Sequence, residues 1–192
     1  RYLYGNWKIL KEQNIKITEK DFPKEDVKES EYKIELESNG ATINSSVLKC
    51  KSYEETCKIA LPKITRSGGV VIGWSTDKDS KKADYKSGEI ISIKKNIKLY
   101  AITSKTIKAT FEKNGVDSIG SSSKTCKIYN TEKSCSITTP TITRSGWIVE
   151  GWNKSKTSTS VSVKPKASLS ITGNEIYYAI TSKTIKVTFE KN

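Results

Sequence analysis

The sequence predicts a mainly β chain built from two small tandem modules, with antiparallel sheets and little or no helix. The first observation behind this is a repeat: AITSKTIKATF at residues 101–111 returns as AITSKTIKVTF at residues 179–189, with one substitution. The same offset carries Ile64-Thr65-Arg66-Ser67-Gly68 onto Ile142-Thr143-Arg144-Ser145-Gly146, and Gly73-Trp74 onto Gly151-Trp152. Repetition of Trp, Gly and Cys in one order marks a tandem array, so structure and function are argued per unit. The second is period-2 patterning, as where Tyr32, Ile34 and Leu36 alternate with Lys33, Glu35 and Glu37, in a chain rich in Thr, Ile, Val and Tyr. The third is the lack of any stretch with sustained 3.6-residue apolar periodicity; residues 77–85 come nearest, and they are short and polar enough to read as loop.

The organisation follows from the repeat. Residues 1–30 form an N-terminal connecting segment or the tail of a preceding unit, with a short strand at Ile15 and Ile17 and a turn at Asp21-Phe22-Pro23. Unit one covers residues 31–107 and unit two residues 108–186; residues 187–192 open a third, so the array is expected to continue. Unit one starts with the strand around Ile34 and turns at Ser38-Asn39-Gly40, where positive φ is needed. Cys50 and Cys57 bracket a polar loop, Pro62 bounds a short strand, and Arg66-Ser67-Gly68-Gly69 turns the chain into the apolar run VVIGW ending at Trp74. After a polar loop at 75–88, strands at 90–93 and 97–102 close the unit, and a separate strand at 106–111 opens the next. Unit two repeats this plan with Cys126 and Cys135 set two residues further apart, Pro140 for Pro62 and Trp147 where unit one has Gly69.

Modules of this size bury only about 60% of the surface of their unfolded chains, so each needs added stability. The four cysteines supply it: two lie in each unit, which favours Cys50 with Cys57 and Cys126 with Cys135 over the other pairings. Structural zinc would need all four thiols from two modules, since the chain has neither a C-x₂-C spacing nor any His. Paired cysteines in small modules imply an oxidising compartment, hence export. The sequence shows no signal peptide and no apolar span, and Arg1 is not an initiator, so an excised piece or processed chain is expected.

Lys plus Arg number 34 against 21 Asp plus Glu, a net charge of +13. The excess is spread over both units without a basic run, which reads as a solvated face with a general attraction for anionic polymers. No zinc-finger spacing, glycine-rich clamp or aromatic RNA-binding strand is present, so no specific nucleic-acid partner is expected.

Taken together, these blocks resemble the Listeria–Bacteroides repeat found in bacterial surface proteins. That pattern runs from a strand ending in Phe, through an Asn-Gly turn and a Pro-Thr-Arg-x-Gly-Tyr-x-Phe-x-Gly-Trp block, to a closing Leu-Tyr-Ala. Unit two matches it at Phe111, Asn114-Gly115, Pro140, Thr143-Arg144-Ser145-Gly146-Trp147, Gly151-Trp152 and Tyr178-Ala179. Unit one matches at Leu36, Asn39-Gly40, Pro62, Thr65-Arg66-Ser67-Gly68, Gly73-Trp74 and Leu99-Tyr100-Ala101. Gly69 stands where the pattern has an aromatic, Val stands for its second Phe, and both cysteine pairs are additions. The resemblance implies β-grasp-like units, export to the bacterial cell surface or wall, and a role as stalk, spacer or adhesin. It implies no active site and no cofactor.

Without His, acid–base chemistry would fall to carboxylates, and Glu35 and Glu37 face solvent if Ile34 and Leu36 face inward. No catalytic residue is assigned. Asp77, Asp79 and Asp84 miss the spacing of an EF-hand loop and have no counterparts in unit two, so no metal site is expected. Trp74 and Trp152, each after a Gly, are expected in the cores with Gly73, Gly151, Arg66 and Arg144 as structural residues. Trp147, with Arg144 or Tyr129 nearby, is the candidate ligand contact. Expected partners are host-surface or extracellular glycans or proteins, or anionic wall polymers.

Overall fold

The computed structural model describes residues 28–190. The expected strand at Ile15 and Ile17 and the turn at Asp21-Phe22-Pro23 lie outside the described residues. Unit one contains β1 (Ser30–Glu37), β2 (Val47–Ser52), β3 (Cys57–Ala60), β4 (Val70–Ser75) and β5 (Ile90–Ile93). The next strand, β6 (Ile97–Glu112), belongs to both units. Unit two adds β7 (Ser118–Ile119), β8 (Ser123–Tyr129), β9 (Cys135–Thr138), β10 (Ile142–Thr143), β11 (Ile148–Asn153), β12 (Ser168–Ile171) and β13 (Glu175–Ser182). The described residues are mainly β and contain no helix.

In unit one β4, β6, β1 and β2 lie side by side; in unit two β11, β13, β6 and β8 do the same. The sheets are therefore mixed, which corrects the expectation of purely antiparallel ones. The first and closing strands of each unit are parallel neighbours, with Ile34 opposite Ile97 and Glu175 opposite Ala109, while the outer pairs are antiparallel. A second layer in each unit is a two-stranded ladder, β3 with β5 and β9 with β12.

The largest departure is β6. Two strands were expected, at 97–102 and 106–111, the second opening the following unit. They form one strand instead, about 50 Å long at 3.3 Å per residue. The polar centre stays extended because Ser104 is bordered on one side by Val70 of β4 and on the other by Tyr129 of β8. Neighbours distant in sequence satisfy its backbone, and local polarity does not decide the outcome.

The cores stay separate despite the shared strand. Leu99 and Ala101 enter the first, with Ile34, Leu36, Leu61, Ile64, Trp74, Ile91 and Ile93. Ile107, Ala109 and Phe111 enter the second, with Val116, Ile128, Ile137, Ile142, Trp152, Ile171 and Tyr177. Both indoles are fully buried, and each Nε1–H donates to a proline carbonyl at 3.1 Å, Trp74 to Pro62 and Trp152 to Pro140. The Asn-Gly turns have the two positive φ values they need, 46° and 84° at Asn39 and Gly40, 48° and 86° at Asn114 and Gly115.

The disulfides pair as expected, Cys50 with Cys57 and Cys126 with Cys135, each joining the middle of one strand to the first residue of the next beside a core. Closing such a loop contributes roughly 2–3 kcal/mol in the chain-entropy account.

Candidate functional site

Two places in the fold gather side chains beyond the needs of a core: the junction between the units and the far end of unit two. The junction is built around Asn130, at the turn that follows β8. Its backbone sits at φ 49°, which Asn tolerates better than most residues, and it is buried. The Thr103 N–H donates to Asn130 Oδ1 at 3.1 Å, and the Asn130 N–H donates back to the Thr103 carbonyl at 3.0 Å. Asn130 Nδ2 donates to the carbonyls of Lys78 and Ser80 at 3.0 and 3.1 Å. The Lys78 carbonyl also accepts from Asn39 Nδ2 at 2.8 Å. One carboxamide of unit two thus ties together the closing strand, the 75–85 loop and, through a shared acceptor, the Asn-Gly turn of unit one. Around it Lys81 lies 3.8 Å from the Glu132 carboxylate and 5.0 Å from the centre of the Tyr129 ring.

Sequence reasoning missed Asn130. The signal was there to be weighed: in the aligned cysteine loops Asn130 stands where unit one has Glu54, after tyrosines in both.

At the far end of unit two the Arg144 guanidinium lies 3.5 Å from the centre of the Trp147 ring, and the Lys183 ammonium 5.8 Å from it. Trp147 is 37% exposed. Arg144 Nη1 donates to Thr181 Oγ1 at 2.7 Å, as Arg66 does to Thr103 in unit one, so each arginine braces the closing strand of its unit. Tyr129 is not part of this group. It pairs with Ser104, whereas Trp147 precedes Ile148, which pairs with Ser182, so the two lie about 40 Å apart along the sheet by the register of β6 and β13.

Gly69, the counterpart of Trp147, has a steric reason to carry no side chain. A Cβ there would stand 2.8 Å from the Ser104 carbonyl oxygen and 2.9 Å from the Arg66 side chain.

Arg144 also lines a cleft of about 290 Å³, with Asn114, Glu150, Ser158, Thr181 and Ser182 among others.

Among the described residues no group of three or more Cys, Asp or Glu is placed to hold a metal ion. Asp84 instead organises its own loop, accepting from the Thr76 N–H at 2.8 Å, the Ser75 hydroxyl at 2.9 Å and the Thr76 hydroxyl at 3.1 Å. The backbone hydrogen bond from Thr76, foremost, and then the hydroxyls hold the carboxyl below its ordinary value against the opposing effect of burial. A depressed carboxyl stabilises fully above its unfolded value, near 3.9, and that contribution is lost as pH falls through the lower folded value. Asp84→Asn is therefore expected to destabilise unit one at neutral pH, and to do so by less in acid, as the pH falls below the unfolded value near 3.9 and through the lower folded one. Urea unfolding at neutral and at acid pH checks this; an undiminished difference in acid would mean that Asp84 acts by packing alone.

A family model described as the Listeria-Bacteroides repeat domain matches residues 32–102 and again residues 108–180. The chain belongs to this family. Listeria-Bacteroides repeats occur in tandem in surface proteins, and the two disulfides fit that setting. No curated protein and no solved structure matches the chain. The two matched segments leave out residues 103–107, which include the buried Thr103 and Ser104 at the middle of β6 where this Listeria-Bacteroides repeat pair is joined. No helix among the described residues is long and apolar enough to cross a membrane.

Proposed function

We propose that this pair of repeats serves as a stiff spacer in an exported, wall-associated bacterial protein, holding other domains away from the cell. The observation that carries this is the junction: a strand running unbroken from one core into the next, pinned on its flank by the Asn130 carboxamide. A flexible tether would join separate folds by an unpaired linker, whereas here backbone pairing continues throughout. We read each unit as β-grasp-like, supported by the parallel first and closing strands at the centre of each four-stranded sheet. We assign no catalysis: Glu35 and Glu37 are exposed on β1, with Glu35 2.7 Å from Lys33 and Glu37 2.9 Å from Lys98.

The test is a distance measurement by electron–electron double resonance, with spin labels introduced at the exposed positions 94 and 154. A single narrow distribution is expected. A broad one in the unaltered chain would refute the spacer reading. Asn130→Ala should broaden it and lower stability by roughly 2–3 kcal/mol, because it leaves the Thr103 N–H and the Ser80 carbonyl without their partner and the Lys78 carbonyl with Asn39 alone.

A second reading, adhesion, draws on the exposed Trp147 ring flanked by Arg144 and Lys183, a surface suited to stacking on an anionic glycan. An unchanged glycan-array profile for Trp147→Ala would remove it.

A further inference from the structure

The cleft at the end of unit two repeats the main features of the site that Asn130 fills in unit one. Asn114, Ser158 and Thr181, which line it, correspond to Asn39, Ser80 and Thr103. The donors and acceptors are set out in the same way. Asn114 Nδ2 donates to the Lys156 carbonyl at 3.1 Å, as Asn39 does to Lys78, and Arg144 braces Thr181 as Arg66 braces Thr103. The two sites differ in what stands over the Asn-Gly turn. A Cβ on Gly40 would lie 2.7 Å from the Asn130 carbonyl oxygen, whereas one on Gly115 meets nothing nearer than Arg144 Nη2 at 3.9 Å.

The segment that follows β13 makes the same comparison. Residues 183–190 repeat residues 105–112 with Val187 for Ala109, yet they form no strand. In the first copy Ile107, Ala109 and Phe111 are buried beneath β8 and its neighbours, whereas Ile185, Val187 and Phe189 are 80%, 66% and 90% exposed. Sequence alike but for one residue is a strand where a β8-type strand lies beside it and is not where none does.

We propose that the end of unit two is a docking site for another repeat of this type, which pairs a β8-like strand with residues 183–189 and inserts the Asn of its Tyr-Asn turn into the cleft. The socket selects a carboxamide. It offers one N–H needing an acceptor and two carbonyls needing donors, and a carboxylate such as that of Glu54, the unit-one counterpart of Asn130, meets only the first. The lining differs from unit one at two positions, Glu150 for Ile72 and Thr159 for Lys81, the lysine that lies by Glu132 and Tyr129 at the first junction.

The inference deepens the spacer reading but is tested apart from it, since the spin-label distance concerns only the first junction. The whole chain is extended by appending a copy of residues 115–190 after Asn192, which regenerates a full third unit. Amide exchange by NMR is then followed at Thr181, with Thr103 as the internal standard of an occupied socket. The expected result is exchange at Thr181 at least about tenfold slower than in the two-unit chain, a gain of roughly 1.4 kcal/mol or more in local protection. Changing only the added turn's Asn to Glu sets carboxylate oxygens against the two loop carbonyls, which keeps the side chain out of the socket, and should return Thr181 to its two-unit rate while the added unit stays folded around its disulfide. Exchange at the two-unit rate beside a folded third unit would overturn the proposal. So would an added unit that fails to fold, or protection that survives the Asn to Glu change.

Discussion

Trp152→Ala is expected to cost unit two about 3–5 kcal/mol, the range for truncating a fully buried large aromatic side chain. The indole has no exposed surface, lies edge-on to Phe111 with ring centroids 4.8 Å apart, and has its one polar atom bonded to the Pro140 carbonyl. Truncation leaves a cavity between the two layers and an acceptor without its donor. A small domain has a total stability of the same order, so unit two should unfold in a separate earlier transition. Guanidinium titration followed by near-ultraviolet circular dichroism reads this directly. A single transition displaced by less than about 1 kcal/mol would show that the indole is not the centre of the core.

Alanine at Gly73 or Gly151 is expected to cost about 2–4 kcal/mol, through strain and overlap together. These glycines have φ of 145° and 153°, at points where β4 and β11 slip register against the closing strands. A Cβ on Gly73 would stand 2.3 Å from the Tyr85 carbonyl oxygen, and one on Gly151 would stand 2.5 Å from that of Val163. Those carbonyls accept from the Trp74 and Trp152 N–H groups at 2.8 Å, so the crossing loop cannot retreat without breaking the bond beside it. Gly146→Ala is the control. Its φ of 71° is also positive, but nothing lies within 4 Å of its Cβ position, so only the backbone penalty of about 1–2 kcal/mol remains. Equal melting-temperature losses for Gly146→Ala and Gly151→Ala would show that overlap plays no part.

How much of this could be read beforehand depended on the range over which each feature is determined. The Asn39-Gly40 turn, the Cys pairs and the strand at Ile90–Ile93 are fixed by neighbours within a few residues, and the sequence carries them openly. The parallel pairing of Ile34 with Ile97 joins residues far apart in the chain, and alternation looks alike in parallel and antiparallel edges. The continuity of β6 through Ser104 was hidden for the same reason, since two distant strands supply its partners. At the candidate ligand site the repeat correctly pointed to Trp147 beside Arg144, which are neighbours in one turn. It gave no means of placing Tyr129, which belongs to the opposite end of its unit. Asn130 was passed over because its importance lies in three partners on another unit, none nearer than 27 residues in sequence.

The parallel neighbours have a mechanical consequence. A pull on the two ends of unit one draws β1 one way and β6 the other, along the line where Ile34 to Glu37 lie beside Ile97 to Tyr100. The load falls on those backbone bonds as shear, so they must fail together and cannot be peeled apart in turn. The same holds for β6 against β13 in unit two, so under tension each module resists as a clamp and the strand between them transmits force without lengthening.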